Sequence, residues 1–116
     1  MKKIITLLSA ILISLSLSGM AQAHIKVTKT MPVDGAELTK APKMAMLHFN
    51  KAVKVVKVSL TRNEKSVPLK FKMNMKAMKM QHISFPKLAA GQYQLGWTLM
   101  GSDGHKMKDK ISFTVK

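Results

Sequence analysis

Short stretches of alternating apolar and polar residues recur along most of this chain, the period of a half-buried β-strand and not of a helix. Ile25 and Val27 alternate with Lys26 and Thr28. Met31-Pro32-Val33-Asp34-Gly35 has turn chemistry, and Ala41-Pro42 opens a second strand. There Ala45, Leu47 and Phe49 share one face while Met44, Met46 and His48 share the other. Val56, Val58 and Leu60 define a third segment, closed by the polar turn Arg62-Asn63-Glu64-Lys65. In the fourth, Val67, Leu69 and Phe71 alternate with Pro68, Lys70 and Lys72. Pro68 marks it as an edge strand or a strand start. Met73 and Met75 continue that phase and are expected in the core. Ile83 and Phe85 mark a fifth strand. Tyr93, Leu95, Trp97 and Leu99 mark a sixth, and Ile111, Phe113 and Val115 a seventh. Seven short strands with turns at this spacing predict an all-β fold, an antiparallel β-sandwich. Gly91-Gln92-Tyr93 predicts a tyrosine corner, the phenol bonding backbone where the chain crosses between sheets.

The first residues break the pattern. Lys2 and Lys3 precede an apolar run from Ile4 to Leu17, and Ala21-Gln22-Ala23 is a small-x-small cleavage site. Residues 1–23 are expected to be a cleaved secretory signal peptide, because the run is shorter than the roughly 20 residues a spanning helix needs. Residues 24–116 then form a single domain. Removing 23 of the 116 residues leaves 93, and loss of Lys2 and Lys3 lowers the net charge from +15 to +13. The n-region fits a bacterial exporter, so the expected destination is the periplasm. The chain has no Cys, which excludes a disulfide scaffold, a thiolate zinc site and a cysteine nucleophile together. With 5 Asp+Glu in all, no Ser-His-acid set is evident either.

Cleavage would make His24 the N-terminal residue, offering its α-amine and ring Nδ1 as a chelating pair. Ser102-Asp103-Gly104-His105 falls between the last two predicted strands, where Asp103 and His105 can point at one centre. Nitrogen and oxygen donors suit Cu(II) in a tetragonal arrangement, although an Asp-Gly-His stretch alone also reads as a plain turn.

His24, Met31-Pro32-x-Asp34-Gly35-Ala36, Ala41-Pro42, Leu47-x-Phe49-Asn50, Leu88-x-x-Gly91-x-Tyr93-x-x-x-Trp97, Ser102-Asp103-Gly104-His105 and Phe113-Thr114-Val115 follow one another in order. Together they resemble the CopC-type periplasmic copper-binding family. The resemblance implies a seven-stranded Greek-key, immunoglobulin-like β-sandwich or barrel. It implies a Cu(II) site made of the His24 amine and imidazole, Asp103 and His105. It also implies a role in copper homeostasis or resistance, often beside a CopD-type inner-membrane copper transport protein. The family usually has Pro just after the loop His and Gly a few residues later; here those places hold Lys106 and Asp109. Lys106, Lys108, Lys110 and Lys116 are expected nearby and would repel a cation.

Methionine is in excess, 11 in 116 residues. Met44-Ala45-Met46-Leu47-His48 and Met78-Lys79-Met80-Gln81-His82 share the form Met-x-Met-x-His. Positions i, i+2 and i+4 of a strand lie on one face, and in both strands the opposite face carries the better core residues. In an immunoglobulin-like order these second and fifth predicted strands are neighbours in one sheet. Met44, Met46, His48, Met78, Met80 and His82 are thus candidate Cu(I) ligands, thioether being a soft donor and imidazole a compatible one. The Met-rich Cu(I) sites of some CopC-type relatives follow the third strand, where this chain has Thr61-Arg62-Asn63-Glu64 and no Met. The alternative is a semi-exposed, gap-filling or partner-facing Met surface.

Charge gives the weakest direction. Lys51, Lys54, Lys57, Lys65, Lys70, Lys72, Lys76 and Lys79 lie without stacking aromatics, which argues against nucleic acid. They read as a solvated face or as an attraction to an anionic membrane surface or an acidic protein. The expected protein is a monomeric, non-enzymatic copper binder. The alternatives are a metal-free interaction module with a Met-rich docking face and a histidine-brace copper oxygenase. One Trp and one Tyr make a poor platform for the polysaccharide such an oxygenase would bind.

Overall fold

The structure, a computed structural model, describes residues 25–73 and 75–116. The expected signal peptide and His24 lie outside the described residues. Seven strands follow: β1 (Val27–Met31), β2 (Ala36–Leu38), β3 (Met44–Arg62), β4 (Lys65–Val67), β5 (Met78–Ser84), β6 (Gly91–Met100) and β7 (Lys106–Val115).

β3 organises the molecule. It is 19 residues long, and the two strands expected over 44–49 and 56–60 are parts of it. No Gly or Pro interrupts residues 50–56, and the β-branched Val53, Val55 and Val56 favour extension. Its first half pairs antiparallel with β1 and β5, its second half with β4 and β6. The ladder to β5 breaks between His48 and Val53, where the strand passes from one layer to the other. The buried Gln81 side chain bridges the break by donating to the Val53 carbonyl at 3.0 Å. A second irregularity lies between Val55 and Lys57, facing β6. There the phase changes: Val53 and Val55 are buried, Val56 and Val58 half-buried, and Leu60 buried again. The layers stay continuous through β3, as one curled seven-stranded sheet in the order β1-β3-β6-β7-β2 with β4 and β5 also on β3. This is the all-β sandwich that the alternation predicts.

Ala45, Leu47, Phe49 and Ile83 from one layer meet Leu60, Tyr93, Leu95, Trp97, Leu99, Ile111, Phe113 and Val115 from the other. Phe113 stacks on Tyr93 with ring centroids 5.2 Å apart. The tyrosine corner is present: the Tyr93 hydroxyl donates to the Ala89 carbonyl at 2.6 Å. Asn63 and Glu64, at φ 48° and 70°, form a two-residue hairpin turn of the type whose twist suits paired strands.

Two expectations fail in this layout. The fourth strand stops at Val67, because Pro68 has no N–H to continue the ladder. With the strand ended its phase does not propagate, and Met73 and Met75 are 49% and 73% exposed instead of in the core. The parallel pairing of the three-residue β2 with β7 carries no alternation signal of its own. It is fixed by long-range bonds: Ser112 N–H to Asp34 Oδ1 at 2.8 Å and Gly35 N–H to the Ser112 carbonyl at 2.7 Å.

Candidate metal centre

β6 and β7 pair without a break from Gly91↔Val115 to Met100↔Lys106, so residues 101–105 close the hairpin at one end of the sandwich. Inside this loop the Gly101 N–H donates to the His105 carbonyl, and the Gly104 N–H to the Gly101 carbonyl, each at 3.0 Å. Gly104 has φ +85°, which only glycine adopts without strain. The Asp103 carboxylate is held twice by His105. Oδ1 accepts the backbone N–H at 3.0 Å, and Oδ2 lies 2.6 Å from the ring Nδ1. The two expected ligands are therefore together, and both are solvent-exposed.

The pair sets its own protonation. The hydrogen bond from His105 holds the Asp103 carboxyl below the usual carboxylate range, and the same bond raises the His105 imidazole above its ordinary value. The geometry gives a metal two ways in. Nε2 of His105 can meet a cation while Asp103 keeps Nδ1 and orients the ring, or the carboxylate can rotate off the ring and become a ligand itself.

Gly101 connects this loop to the start of the described chain. A Cβ there would lie 2.8 Å from Ile25 Cδ1 and 3.1 Å from Asp103 Oδ1. The Ile25 side chain thus packs directly on the loop backbone beside the carboxylate. His24, the remaining expected ligand, is outside the described residues.

The lysines expected to crowd the loop divide. Lys116 is at the far end of β7, paired with Glu37 Oε2 at 3.1 Å. Lys106, Lys108 and Lys110 alternate along the outer face of β7. They stand in rows with Lys54–Met100, Lys57–Thr98 and Ser59–Gly96 respectively. Gly96 leaves a shallow groove between the lysine-bearing strands, lined also by Ser59, Gln94 and Thr98.

The Met-x-Met-x-His strands are neighbours, as the immunoglobulin-like order predicts. β3 and β5 place Met46 opposite His82, His48 opposite Met80, and Met44 opposite Ser84. Met78 pairs with Val53, beyond the break. Met44, Met78, Met80 and His82 are exposed, Met46 and His48 half-buried. Sequence reasoning missed Met31. It sits in a turn-like stretch, yet β1 flanks β3 on its other side and sets Met31 opposite Met46. Among the described residues no cluster of three or more His, Asp or Glu side chains is placed to hold a metal ion.

Among the described residues the fold is a helix-free sandwich with an Asp-His loop at one end, packed against Ile25. The chain belongs to the CopC family: the CopC domain matches residues 27–116. Protein YobA of Escherichia coli strain K12 is 30% identical over 99 residues, covering 81% of this chain and 80% of YobA. The YobA of Shigella flexneri matches to the same extent. The crystal structure of CopC from Methylosinus trichosporium OB3b superposes with a TM-score of 0.66 at 25% identity, covering 80% of this chain and 94% of that one. PcoC, a methionine-rich copper resistance protein from Escherichia coli, has the same fold, with a TM-score of 0.66 at 24% identity over 81% of this chain and 100% of PcoC. Family membership ties the chain to copper.

Proposed function

We propose that the protein is exported, begins at His24 after cleavage, and holds Cu(II) through the His24 amine and imidazole with His105 and Asp103. In this reading it serves periplasmic copper homeostasis as a carrier or buffer and catalyses no reaction. The supporting observation is the packing of Ile25 on Gly101. Ile25 lies against the loop that carries Asp103 and His105, and in this reading His24, the residue before it, completes the ligand set. Two imidazoles, an amine and a carboxylate fill the four tetragonal positions Cu(II) prefers.

Cu(II) titration of protein beginning at His24, followed by electron paramagnetic resonance, tests this. The expected result is one tight ion whose spectrum carries several nitrogen donors. Its pH dependence has a defined sign. Cu(II) must displace protons from the α-amine, whose ordinary value is about 7.7–8.0, and from His105, which is raised above the ordinary histidine value of about 6.5. Affinity is therefore full above both values and falls tenfold per proton per pH unit below them. The His105 step lies above the ordinary histidine midpoint. Asp103, being lowered, stays ionised through this window. A pH-independent affinity between pH 6 and 8 would exclude these ligands.

A CopD-type inner-membrane protein is the partner this reading implies, and the lysine rows on β3 and β7 suit an anionic surface. Retention on vesicles containing anionic lipid is expected at low ionic strength. It should fade toward about 0.15 M salt, where the screening length is about 8 Å. Replacing Lys57, Lys108 and Lys110 by Gln should weaken it; absence of retention at low salt would dismiss the membrane attraction.

A further inference from the structure

We propose a Cu(I) site on the outer face of the β1-β3-β5 layer, built from Met31, Met46, His48, Met80 and His82. The strand register carries the assignment. Met31, Met46 and His82 form one row across three strands, and His48 and Met80 stand in the next row together with Lys29. Residues directly opposite on paired strands have Cβ atoms about 4.5–5.5 Å apart, and the rows are one two-residue strand step apart. Three thioethers and two imidazoles therefore converge on one patch. The donors already approach each other: Met80 Sδ lies 3.1 Å from His82 Nε2. Met44 and Met78 flank the patch, Met44 opposite Ser84 and Met78 beyond the break in the ladder.

The chemistry of the patch selects the ion. Among the described residues, every named donor on this face is a thioether or an imidazole, and thioether sulfur favours Cu(I) over harder ions. Charge acts in the same direction. Lys29 stands beside His48, and the whole chain carries +15. A monovalent ion feels half the repulsion that a divalent one would at the same distance. A core role does not account for these methionines. The opposite face of each strand supplies the core through Ala45, Leu47 and Phe49 on β3 and Ile83 on β5, while Met31 is 50% exposed and Met80 38%. The site is separate from the Asp103–His105 loop and does not rest on the Cu(II) reading.

The test is anaerobic titration with Cu(I) against a chromophoric bicinchoninate competitor, repeated with Ag(I). It uses protein whose N-terminal amine is acetylated and which carries His105→Ala, so that the proposed Cu(II) set loses two of its four donors. One ion is expected, with sulfur and nitrogen scatterers by X-ray absorption and shifted ring signals for His48 and His82 by NMR. Losing an outer-shell partner of a metal costs about 10–100-fold in affinity, so Met46→Leu with Met80→Leu should weaken binding by at least about 100-fold. Met31→Leu alone should weaken it by about tenfold or more, and Met73→Leu with Met75→Leu should change nothing. Leu conserves volume at these positions, and unchanged circular dichroism would confirm folding. Undiminished affinity in the Met46/Met80 variant, an equal loss in the Met73/Met75 variant, or the absence of sulfur scattering would overturn the site. Unchanged affinity in Met31→Leu would overturn its three-strand construction.

Discussion

Acetylating the α-amine of protein that begins at His24 is expected to weaken Cu(II) binding by at least about 100-fold, with no measurable change in folding. The amine is a proposed ligand, and acetylation removes it while leaving the imidazole, Asp103 and His105 in place. Mutations one shell further out typically cost about 10–100-fold, so a lost ligand should cost no less. His105→Ala should produce a loss of similar size, because the loop then presents only the Asp103 carboxylate. Acetylation together with His105→Ala should lose less than the sum of the two, since both report on one ion. The spectrum should lose nitrogen donors in each case. The loop is exposed at both side chains, so thermal stability without metal should stay within about 0.5 kcal/mol of the parent. If the acetylated protein keeps its affinity, the start of the chain is not part of the centre. The packing of Ile25 on Gly101 would then be a structural contact alone.

What could be read in advance follows from how local each signal is. Asp103 and His105 are two residues apart in a loop closed by Gly101 and Gly104, so their meeting is settled within five residues and the motif announces it. The inward faces of β6 and β7 were equally legible, because period-two alternation there matches an unbroken ladder. Where the ladder is irregular, alternation misleads. Val56 and Val58 carry the alternation that would make them core, yet the irregularity after Val55 leaves them half-buried while Val53 and Val55 are buried. Met73 and Met75 continue a phase whose strand ends before Pro68. Met31 illustrates the harder limit. Nothing local marks it as a ligand, and only the pairing of β1 with the far side of β3 brings it beside Met46. The same holds for Ile25 against Gly101, a contact across 76 positions of sequence that no motif contains.

Leu47→Ala is expected to cost about 2–5 kcal/mol of folding stability, the range for emptying a fully buried leucine site. Leu47 has no exposed surface and lies on the inner face of β3 between Ala45 and Phe49, its strand neighbours on both sides being β1 and β5. Such a position has little freedom to collapse around the missing methyls. Small domains sit at the low end of about 5–15 kcal/mol of total stability, so this one change removes a large share of it. The melting temperature should fall by about 10 °C or more, while the denaturant m-value stays the same. The exposed Met75→Ala should shift stability by less than about 0.5 kcal/mol and serves as the control. The two faces of β3 also separate the energetics of folding from those of binding. Leu47 faces the core, while Met46 and His48 on either side of it face outward. Below its melting transition, the Leu47→Ala protein should therefore bind both copper ions with parental affinity. Excess Cu(II) should return part of the lost stability by mass action, about 2.7 kcal/mol at a hundredfold excess over the dissociation constant. A Leu47→Ala protein no less stable than the Met75→Ala control would mean that the β1-β3-β5 layer does not close on the core as described. A variant that stays folded but loses copper affinity would mean that the inner and outer faces of β3 are coupled, and the metal face would then owe its geometry to the packing beneath it.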